Sequence, residues 1–357
     1  MRFKVFILGA GCSASYGYPL AVNLAQELGN FLTCRKAILS KCPIIQSAVT
    51  SMVGLAASTP RADTLDELVN LAEERFKAGK QQETLTDEQI LNAKIATAAL
   101  FLDRERAARK ITLEGYEQSL LPSIFGTGPD WQRALNNSDC SVLTFNYDRL
   151  FEIAFLERFP GFNLNEFSLY GKSVLNSGFD SGSCKGGDDT EIAPDRFCFL
   201  KLHGSAGWWV RREKGNRGKD ECRRYCLDSP GLPTDIQRLE EFLAQNRGCD
   251  PWEPLIAFPH EKQQCIPRYQ WDLEQGPYTK HVWMHAASVL EKAAEVTVIG
   301  YSFANVIDRA HMIENLLSKT PSTSRIVIEN KNVGAVKSAL KDIKTLEGRL
   351  VFKKRTF

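Results

Sequence analysis

The chain has 357 residues, of which 43% are hydrophobic and 25% charged, a composition typical of a soluble globular protein with one large or two modest domains. Lys and Arg number 45 against 43 Asp and Glu, and the net charge of +2 excludes both the electrostatic footprint of a nucleic-acid-binding protein and a basic stripe for an anionic membrane. No apolar run is long enough to span a bilayer and the N-terminus does not resemble a signal peptide, so we expect a cytoplasmic protein with its ten cysteines reduced.

The chain begins with a predicted strand and a predicted helix. Residues 3–8 predict a buried strand, because they form a short apolar run that ends at a glycine. Residues 19–32 predict a helix with apolar side chains at helical spacing. From about residue 36 to 121 the pattern is helical almost throughout, and we interpret this region as a helical insertion within a single domain of residues 1–357.

The rest of the chain alternates between predicted strands and predicted helices. Strands are predicted at 141–145, 197–202, 254–258, 296–299, 325–328 and 350–352, and helices at 148–156, 278–293, 307–317 and 333–340. Loops are predicted at 171–195, which is rich in Gly, Ser and Asp, and at 211–235, a charged stretch that is either solvated or in contact with a phosphate-rich partner. The alternation predicts a Rossmann-like α/β fold, a doubly wound and mostly parallel sheet with a helical insertion.

A glycine-rich turn, Gly-Ala-Gly-Cys-Ser at residues 9–13, follows the first predicted strand. Glycine lets backbone N–H groups come close to a phosphate, and the positive end of a following helix attracts the same anion. The last glycine of the dinucleotide fingerprint is replaced by Ala14, and the Gly-Lys-Ser/Thr of a P-loop is missing. The turn therefore indicates phosphate binding, with tight packing of the turn as the alternative.

Polar residues follow two further predicted strands. Asn146 and Asp148 come after the second strand, and His203 with Gly204 comes after the third. Ligands of open α/β sheets bind outside the carboxyl ends of strands, so Asn146 and Asp148 are candidates to bind ribose hydroxyls or a water. His203 is a candidate general base. The alternatives are a helix N-cap for Asn146 or Asp148 and a purely structural histidine.

Two more predicted strands end in small or polar residues. Residues 300–303 (Gly-Tyr-Ser-Phe) follow the strand at 296–299, and the strand at 325–328 continues into Glu329 and Asn330. Together the five strand ends predict a crevice consistent with one extended nucleotide.

These five motifs, in this order, resemble those of the sirtuins. The family pattern Gly-Ala-Gly-Ile-Ser-x-x-x-Gly-Ile-Pro aligns without a gap with residues 9–19, and Thr-Gln-Asn-x-Asp is similar to residues 144–148. The family's His-Gly, its Gly-Thr/Tyr-Ser and its ribose-binding strand ending in Asn are similar to residues 203–204, 300–302 and 326–330. The motifs span residues 5–330, although the segments between them do not look alike.

The resemblance implies an NAD site and a role for each matching residue. Asn146 would hold the nicotinamide ribose or the attacking water, and His203 would be the general base. The cofactor-binding residues would be Gly9, Ala10, Gly11 and Ser13 at the phosphates, Ser302 and Asn330 at phosphate and adenine ribose, and also Asp148 and Gly300.

The sequence departs from the sirtuin deacylases just after the glycine-rich turn. Deacylases follow Gly-Ile-Pro with Asp-Phe-Arg, whereas here Leu20, Ala21 and Val22 follow Pro19. The family's phenylalanine covers the nicotinamide ribose and keeps water away from it. Because Ala21 stands at that position, we expect water to reach the ribose and NAD to be hydrolysed.

A second departure concerns zinc, which the deacylases bind through paired Cys-x2-Cys motifs. The candidate ligands here lack that spacing, so we expect no metal; they are Cys222, Cys226, Cys249 and Cys265. His281 and His285 lie four residues apart, but Val282 replaces the Glu of a zincin motif, and we interpret both as ordinary surface or core histidines.

With these departures the chain resembles the sirtuin-like NADase domains of bacterial antiphage defence systems, which deplete NAD on infection. Those domains share the helical insertion, a Thr-Phe-Asn-Tyr-Asp motif and Gly-Tyr-Ser-Phe. The resemblance implies an NAD+ hydrolase that is controlled by homo-oligomerisation or by a partner, with a HerA-like ATPase as the candidate. We expect no membrane partner and no direct contact with nucleic acid.

Two other functions are open alternatives at this point. One is an NAD-dependent protein deacylase, which needs a peptide groove and a shielded ribose. The other is a non-catalytic subunit that senses NAD or ADP-ribose by binding without cleavage.

Overall fold

The computed structural model describes most of the chain. The described residues are 3–20, 23–58, 87–115, 119–127, 140–159, 197–214, 221–227, 236–244, 252–256, 278–303, 309–310 and 312–355. The predicted loop at 171–195, the Ala21 and Val22 positions, and Cys249 and Cys265 therefore lie outside the described residues.

The strands of the described residues form two sheets. In chain order they are β1 (Lys4–Leu8), β2 (Cys140–Thr144), β3 (Phe199–Lys201), β4 (Gly204–Lys214), β5 (Glu221–Leu227), β6 (Glu253–Ile256), β7 (Glu295–Ile299), β8 (Arg325–Asn330) and β9 (Leu350–Lys354). The larger sheet has six strands in the order β3-β2-β1-β7-β8-β9, and every neighbouring pair is parallel.

This strand order confirms the predicted fold class. Counted within the large sheet alone, the order is 3-2-1-4-5-6, that of the doubly wound Rossmann fold. The chain steps outward in one direction from β1 to β3 and in the opposite direction from β7 to β9. The order reverses between β1 and β7, where ligands of this fold bind.

The register of the large sheet aligns the carboxyl ends of its strands. Leu8 at the end of β1 lies opposite Thr144 on one side and Ile299 on the other. Thr144 in turn lies opposite Lys201, and Ile299 opposite Glu329. The chain segments that follow these five residues therefore start from one row along the same edge of the sheet.

The smaller sheet is antiparallel, in the order β5-β4-β6. It corrects the prediction that residues 211–235 are loop-like, because β4 extends to Lys214 and β5 covers residues 221–227. Arg211 pairs with Arg224 and Arg212 with Arg223 across these two strands. The prediction treated charge density as a loop signal, but the hydrogen bonds of an antiparallel ladder are made by the backbone, so charged residues do not exclude a strand.

The helices carry most of the middle of the chain. They are α1 (Gly11–Ala14), α2 (Leu24–Cys34), α3 (Lys36–Leu39), α4 (Pro43–Ser58), α5 (Asp87–Gly115), α6 (Leu121–Phe125), α7 (Leu150–Arg158), α8 (Ile236–Ala244), α9 (Tyr278–Glu291) and α10 (Val333–Leu340). The helix expected at 19–32 begins only at Leu24, and the one expected at 307–317 is a π-helix at Met312–Leu316 followed by a 3-10 turn. The division into one domain with an insertion stays a prediction.

An aromatic cluster packs α7 onto the edge of the large sheet. The rings of Phe151 and Phe199 stack with centroids 4.6 Å apart, and those of Phe155 and Phe197 stack at 5.7 Å. Phe125 on α6 contacts Phe151, Phe155 and Phe197 from the other side. The cluster therefore holds α7 against β3, and with it the segment that leads into α7. None of the helices described here is long and apolar enough to cross a membrane.

A buried ion pair connects α5 to the start of α7. Arg149 donates to both carboxylate oxygens of Glu105, at 2.8 Å and 2.7 Å, and both side chains are at most 3% exposed. Gly207 on β4 packs beside the guanidinium, where a Cβ would lie 2.7 Å from one of its nitrogens. Breaking a buried pair leaves an uncompensated charge, whereas an exposed pair contributes little to stability.

We therefore predict different costs for two alanine substitutions on the same helix. Glu105→Ala should lower the free energy of unfolding by about 3–5 kcal/mol, because the buried guanidinium of Arg149 would lose the carboxylate that balances its charge. Asp103→Ala is the matched control: its partner Arg35 is 40% exposed, and the cost should be at most about 1 kcal/mol. Urea unfolding of both variants measures the difference, and equal losses would contradict the assignment of α5 as a buried anchor.

Candidate functional site

The glycine-rich turn after β1 packs against the turn after β7. Gly9 N–H donates to the Ile299 carbonyl at 2.8 Å, and Gly11 N–H donates to the Gly300 carbonyl at 2.9 Å. In this conformation these two N–H groups bond within the protein rather than pointing outward. The helix that follows the turn, α1, has only four residues, so it supplies little of the helix dipole that the sequence suggested.

The glycines of these two turns are required by close packing. A Cβ at Gly9 would lie 2.7 Å from the Cα of Tyr301, and one at Gly11 would lie 2.7 Å from the Gly300 carbonyl oxygen. Gly300 itself has a φ of +68° and a Cβ there would lie 2.6 Å from the backbone nitrogen of Cys12. Tight packing of the turn, the alternative to phosphate binding, is therefore enough to explain why glycines occupy these positions. A phosphate-binding role for Gly9, Ala10 and Gly11 stays a prediction.

Asn146 is fixed by the glycine-rich turn. Its side-chain nitrogen donates to the Gly9 carbonyl and to the Ser13 hydroxyl, both at 3.2 Å, and its backbone N–H donates to the Thr144 hydroxyl. The residue is buried, and within the described part of the chain its Oδ1 atom has no hydrogen-bond partner. The Asn146 side chain is therefore held in place by its nitrogen, while its oxygen is an acceptor with no donor at the edge of the sheet.

Ser13 links Asn146 to Asp148. Asp148 is buried, is hydrogen-bonded to the Ser13 side chain, and accepts from the Leu150 backbone N–H at 3.0 Å. The last contact is an Asx-type turn just before α7. The N-cap position of α7 is held by Arg149 without a side-chain cap hydrogen bond, so the helix-cap alternative for Asn146 or Asp148 is not met. Burial raises the pKa of the Asp148 carboxyl despite the opposing effects of Lys201 and these hydrogen bonds.

His203 lies against the two residues that flank Asn146. Its ring centroid is 4.9 Å from that of Phe145 and 6.2 Å from that of Tyr147. The backbone also joins the two segments, because Leu202 N–H donates to the Thr144 carbonyl at 2.8 Å. Trp283 on α9 closes the far side of the imidazole at 6.2 Å. The structure thus brings His203 and the Asn146 segment into one site.

The residues at the carboxyl ends of β7 and β8 lie along the same edge of the large sheet, on the other side of β1 from Asn146 and His203. Asn330 is buried, its side-chain amide donates to the Tyr301 carbonyl at 2.9 Å, and its Oδ1 accepts from the Asn332 N–H at 2.8 Å. Ser302 is exposed at the rim. Phe303 has a φ of +56° although it is not a glycine, so the turn after β7 carries backbone strain beside the site.

Charged residues that the motif analysis did not select lie directly beneath the site. Lys201 and Glu152 form an ion pair of 2.9 Å with both side chains at most 1% exposed. Burial raises the pKa of Glu152, against the effect of Lys201. The signal was available in the sequence, since a single charge interrupts the apolar stretches of β3 and α7, and fully buried charges are almost always paired.

Cys12 is a buried thiol within the glycine-rich turn. Burial raises the pKa of Cys12 to about 12, so its thiol stays protonated at neutral pH although it lies in the glycine-rich turn. Within the described residues no group of His, Cys, Asp and Glu could hold a metal ion. Cys222 and Cys226 lie on β5.

Comparison with known proteins adds similarity to Sir2 structures. No protein-family model and no curated protein matches the chain. A mutant Sir2 homologue in complex with ADP-ribose is 14% identical with a TM-score of 0.41, covering 99% of this chain and 86% of that chain. Sir2Tm bound to a propionylated peptide is 14% identical with a TM-score of 0.34, covering 99% and 88%. Identities and TM-scores this low say nothing about the activity of this chain. Its fold class follows from the strand order of the large sheet.

We predict that Gly9→Ala destabilises the protein, because its Cβ would force the two turns apart. The cost should be about 1–3 kcal/mol in the free energy of unfolding, as for overpacking elsewhere. Gly29→Ala on α2 is the control: a Cβ there meets nothing within 4 Å, and alanine should stabilise the helix by about 0.5–1 kcal/mol. Thermal or urea unfolding should show a loss of stability for Gly9→Ala and a gain for Gly29→Ala. A Gly9→Ala variant as stable as the wild type would contradict the close approach of the two turns.

A second prediction concerns the pH dependence of stability. Because the pKa of Asp148 is raised in the folded state, its contribution is greatest at low pH and is lost as pH rises from about 4 toward the raised value. Asp148→Asn removes this titration while keeping an oxygen for the Leu150 N–H. The variant should therefore gain stability relative to the wild type between about pH 4 and pH 7. Urea unfolding at several pH values measures this difference. If the free energies of unfolding of the variant and the wild type change with pH in the same way, the prediction is wrong.

Proposed function

We propose that the chain is an NAD+ hydrolase that binds NAD at this edge of the sheet and splits it into nicotinamide and ADP-ribose. The observation that carries the proposal is the side-chain oxygen of Asn146, which is buried and has no hydrogen-bond partner among the described residues. An unsatisfied buried acceptor costs about 1–3 kcal/mol. A water or a ribose hydroxyl that donates to Oδ1 would recover this free energy.

The proposed binding mode follows the row of strand ends. Neighbouring strands lie about 4.8 Å apart, so the five ends from β3 to β8 extend over roughly 19 Å, enough for an extended dinucleotide. The nicotinamide ribose would lie by Asn146 and His203. The pyrophosphate would cross the point where the strand order reverses, near residues 9–13 and Ser302, and the adenine ribose would lie toward Asn330.

The proposed chemistry uses two side chains in different roles. The bond between ribose C1′ and the nicotinamide nitrogen breaks, and its electron pair neutralises the pyridinium ring as nicotinamide leaves. A water that donates one hydrogen bond to Asn146 Oδ1 attacks the electron-poor C1′, and an uncharged His203 imidazole accepts its proton. The products are nicotinamide, ADP-ribose and one proton, which balances the reaction.

Hydrolysis is favoured over protein deacylation by what the sequence lacks. Ala21 stands where the deacylases have the phenylalanine that keeps water from the ribose, and no Asp-Phe-Arg follows Pro19. An alanine methyl group is too small to cover the face of a ribose, so water would have access to C1′ of bound NAD. An acyl-lysine substrate would need that shield to compete with water for the same carbon.

The biological setting rests on the sequence resemblance alone. By that resemblance, the hydrolase acts in the bacterial cytoplasm and depletes NAD during viral infection. Its activity would be controlled by homo-oligomerisation or by a separate subunit, for which a HerA-like ATPase is the candidate.

The proposal predicts that Asn146→Ala and His203→Ala each reduce nicotinamide release from NAD by at least about 100-fold, because each removes a group that acts on the attacking water. Matched controls are Asn30→Ala, an exposed position on α2, and His285→Ala, a half-buried position on α9. Both controls should keep wild-type turnover. Circular dichroism and thermal unfolding check that all four variants are folded.

Three outcomes would contradict the proposal. Wild-type turnover in both site variants would show that these side chains do not act on the reaction. Nicotinamide release that depends strictly on added acyl-lysine peptide would identify a deacylase. Saturable NAD binding without turnover, with or without a partner ATPase, would identify a sensor.

A further inference from the structure

The ammonium group of Lys201 connects the two segments that carry the proposed catalytic side chains. Lys201 is the last residue of β3, two residues before His203, and it is fully buried. Its Nζ lies 2.9 Å from a carboxylate oxygen of Glu152 on α7 and donates a hydrogen bond to the backbone carbonyl of Asp148. Asp148 in turn lies two residues after Asn146. The side chain of Lys201 therefore links β3, which leads to His203, to the turn at residues 145–148 that carries Asn146.

The contact with the Asp148 carbonyl complements the backbone bonds between these segments. Leu202 N–H holds Thr144, at the start of the Asn146 turn, and Ala206 N–H holds the Tyr147 carbonyl at 2.9 Å. Lys201 holds the turn at its far end, just before α7. Glu152 on α7 holds the ammonium, and α7 is itself held by the aromatic cluster on β3.

Stability alone does not account for a charge at this position. Removing an ammonium and a carboxylate from water is costly, and replacing a buried ion pair by well-packed neutral groups is often neutral or stabilising. An apolar side chain at 201 would pack in β3, but it could not hold the Asp148 carbonyl.

We propose that Lys201 is a positioning residue that sets the placement of His203 relative to Asn146, with Glu152 holding its ammonium in place. This inference rests on the proposed NAD+ hydrolase function for its kinetic consequence. A displacement of about 1 Å between reacting groups can reduce turnover by about 100-fold while ground-state binding is little affected. Loss of Lys201 should therefore lower kcat with little change in KM for NAD.

The test compares two variants. Lys201→Met alone would remove the cation from the buried Glu152 carboxylate and so would also test stability. The informative variant is therefore Lys201→Met combined with Glu152→Gln, which neutralises both members of the ion pair. Glu152→Gln alone is the matched control, because a glutamine oxygen still accepts from Lys201 and the contact with the Asp148 carbonyl remains. We expect the double variant to keep a wild-type melting temperature and KM but to lose kcat by about 10- to 100-fold. The single variant should stay within about threefold of wild-type kcat.

A second readout does not depend on turnover. The imidazole C2 proton of His203, one of five histidines, can be assigned by its disappearance in His203→Ala. The nuclear Overhauser contacts of this proton with the Phe145 and Tyr147 rings report where His203 lies relative to the Asn146 turn. They should differ from wild type in the double variant and match wild type in Glu152→Gln. If the wild type releases no nicotinamide, the proposed function fails and these contacts alone decide the role of Lys201.

Several results would overturn the positioning role. Unchanged contacts of His203 with the Phe145 and Tyr147 rings in the double variant overturn it whatever the kinetics show, because the placement of His203 then does not depend on Lys201. If the wild type hydrolyses NAD, a double variant with wild-type kcat also overturns the positioning role. So does a double variant whose KM for NAD rises without a fall in kcat. An unfolded double variant overturns it as well, because Lys201 would then serve stability.

Discussion

The close approach of two turns at the point where the strand order reverses is the constraint on which the site depends. Gly9 and Gly11 lie so near Gly300 and Tyr301 that a Cβ at either glycine would be less than 3 Å from backbone atoms. This contact closes the centre of the sheet edge and fixes the carbonyl and hydroxyl that hold the Asn146 amide. The glycines thus act first through packing, and the geometry of Asn146 follows from it.

Beneath that edge, the site is supported by buried charges rather than by apolar packing alone. Arg149 is joined to Glu105 on α5, and Lys201 is joined to Glu152 on α7. Such pairs add little net stability but tolerate few alternative arrangements, since a displaced partner leaves a charge unpaired in the interior. The same burial raises the pKa of Asp148 and Glu152. Rigidity at the proposed site is therefore obtained by specific electrostatic contacts.

The sequence predicted the parallel sheet and the strand ends well, because both depend on local signals. A short apolar run that ends in Gly or Asn marks a buried parallel strand and the residue that follows it. It failed at β4 and β5, where antiparallel pairing of two consecutive segments overrode the loop-like charge of residues 211–214. It also could not assign Lys201 a role, because its partners Glu152 and Asp148 are about 50 residues away in the chain and meet it only in the folded sheet.

The central claim is that one crevice, at the reversal of strand order, both binds and positions NAD for hydrolysis. The most direct measurement is a crystal structure of the Asn146→Ala variant, slowed in turnover, with NAD bound. The account predicts the pyrophosphate between residues 9–13 and Ser302, and the nicotinamide ribose beside His203. NAD bound elsewhere, for example in the lysine-lined groove between α10 and β9, or with its nicotinamide ribose turned away from His203, would contradict it.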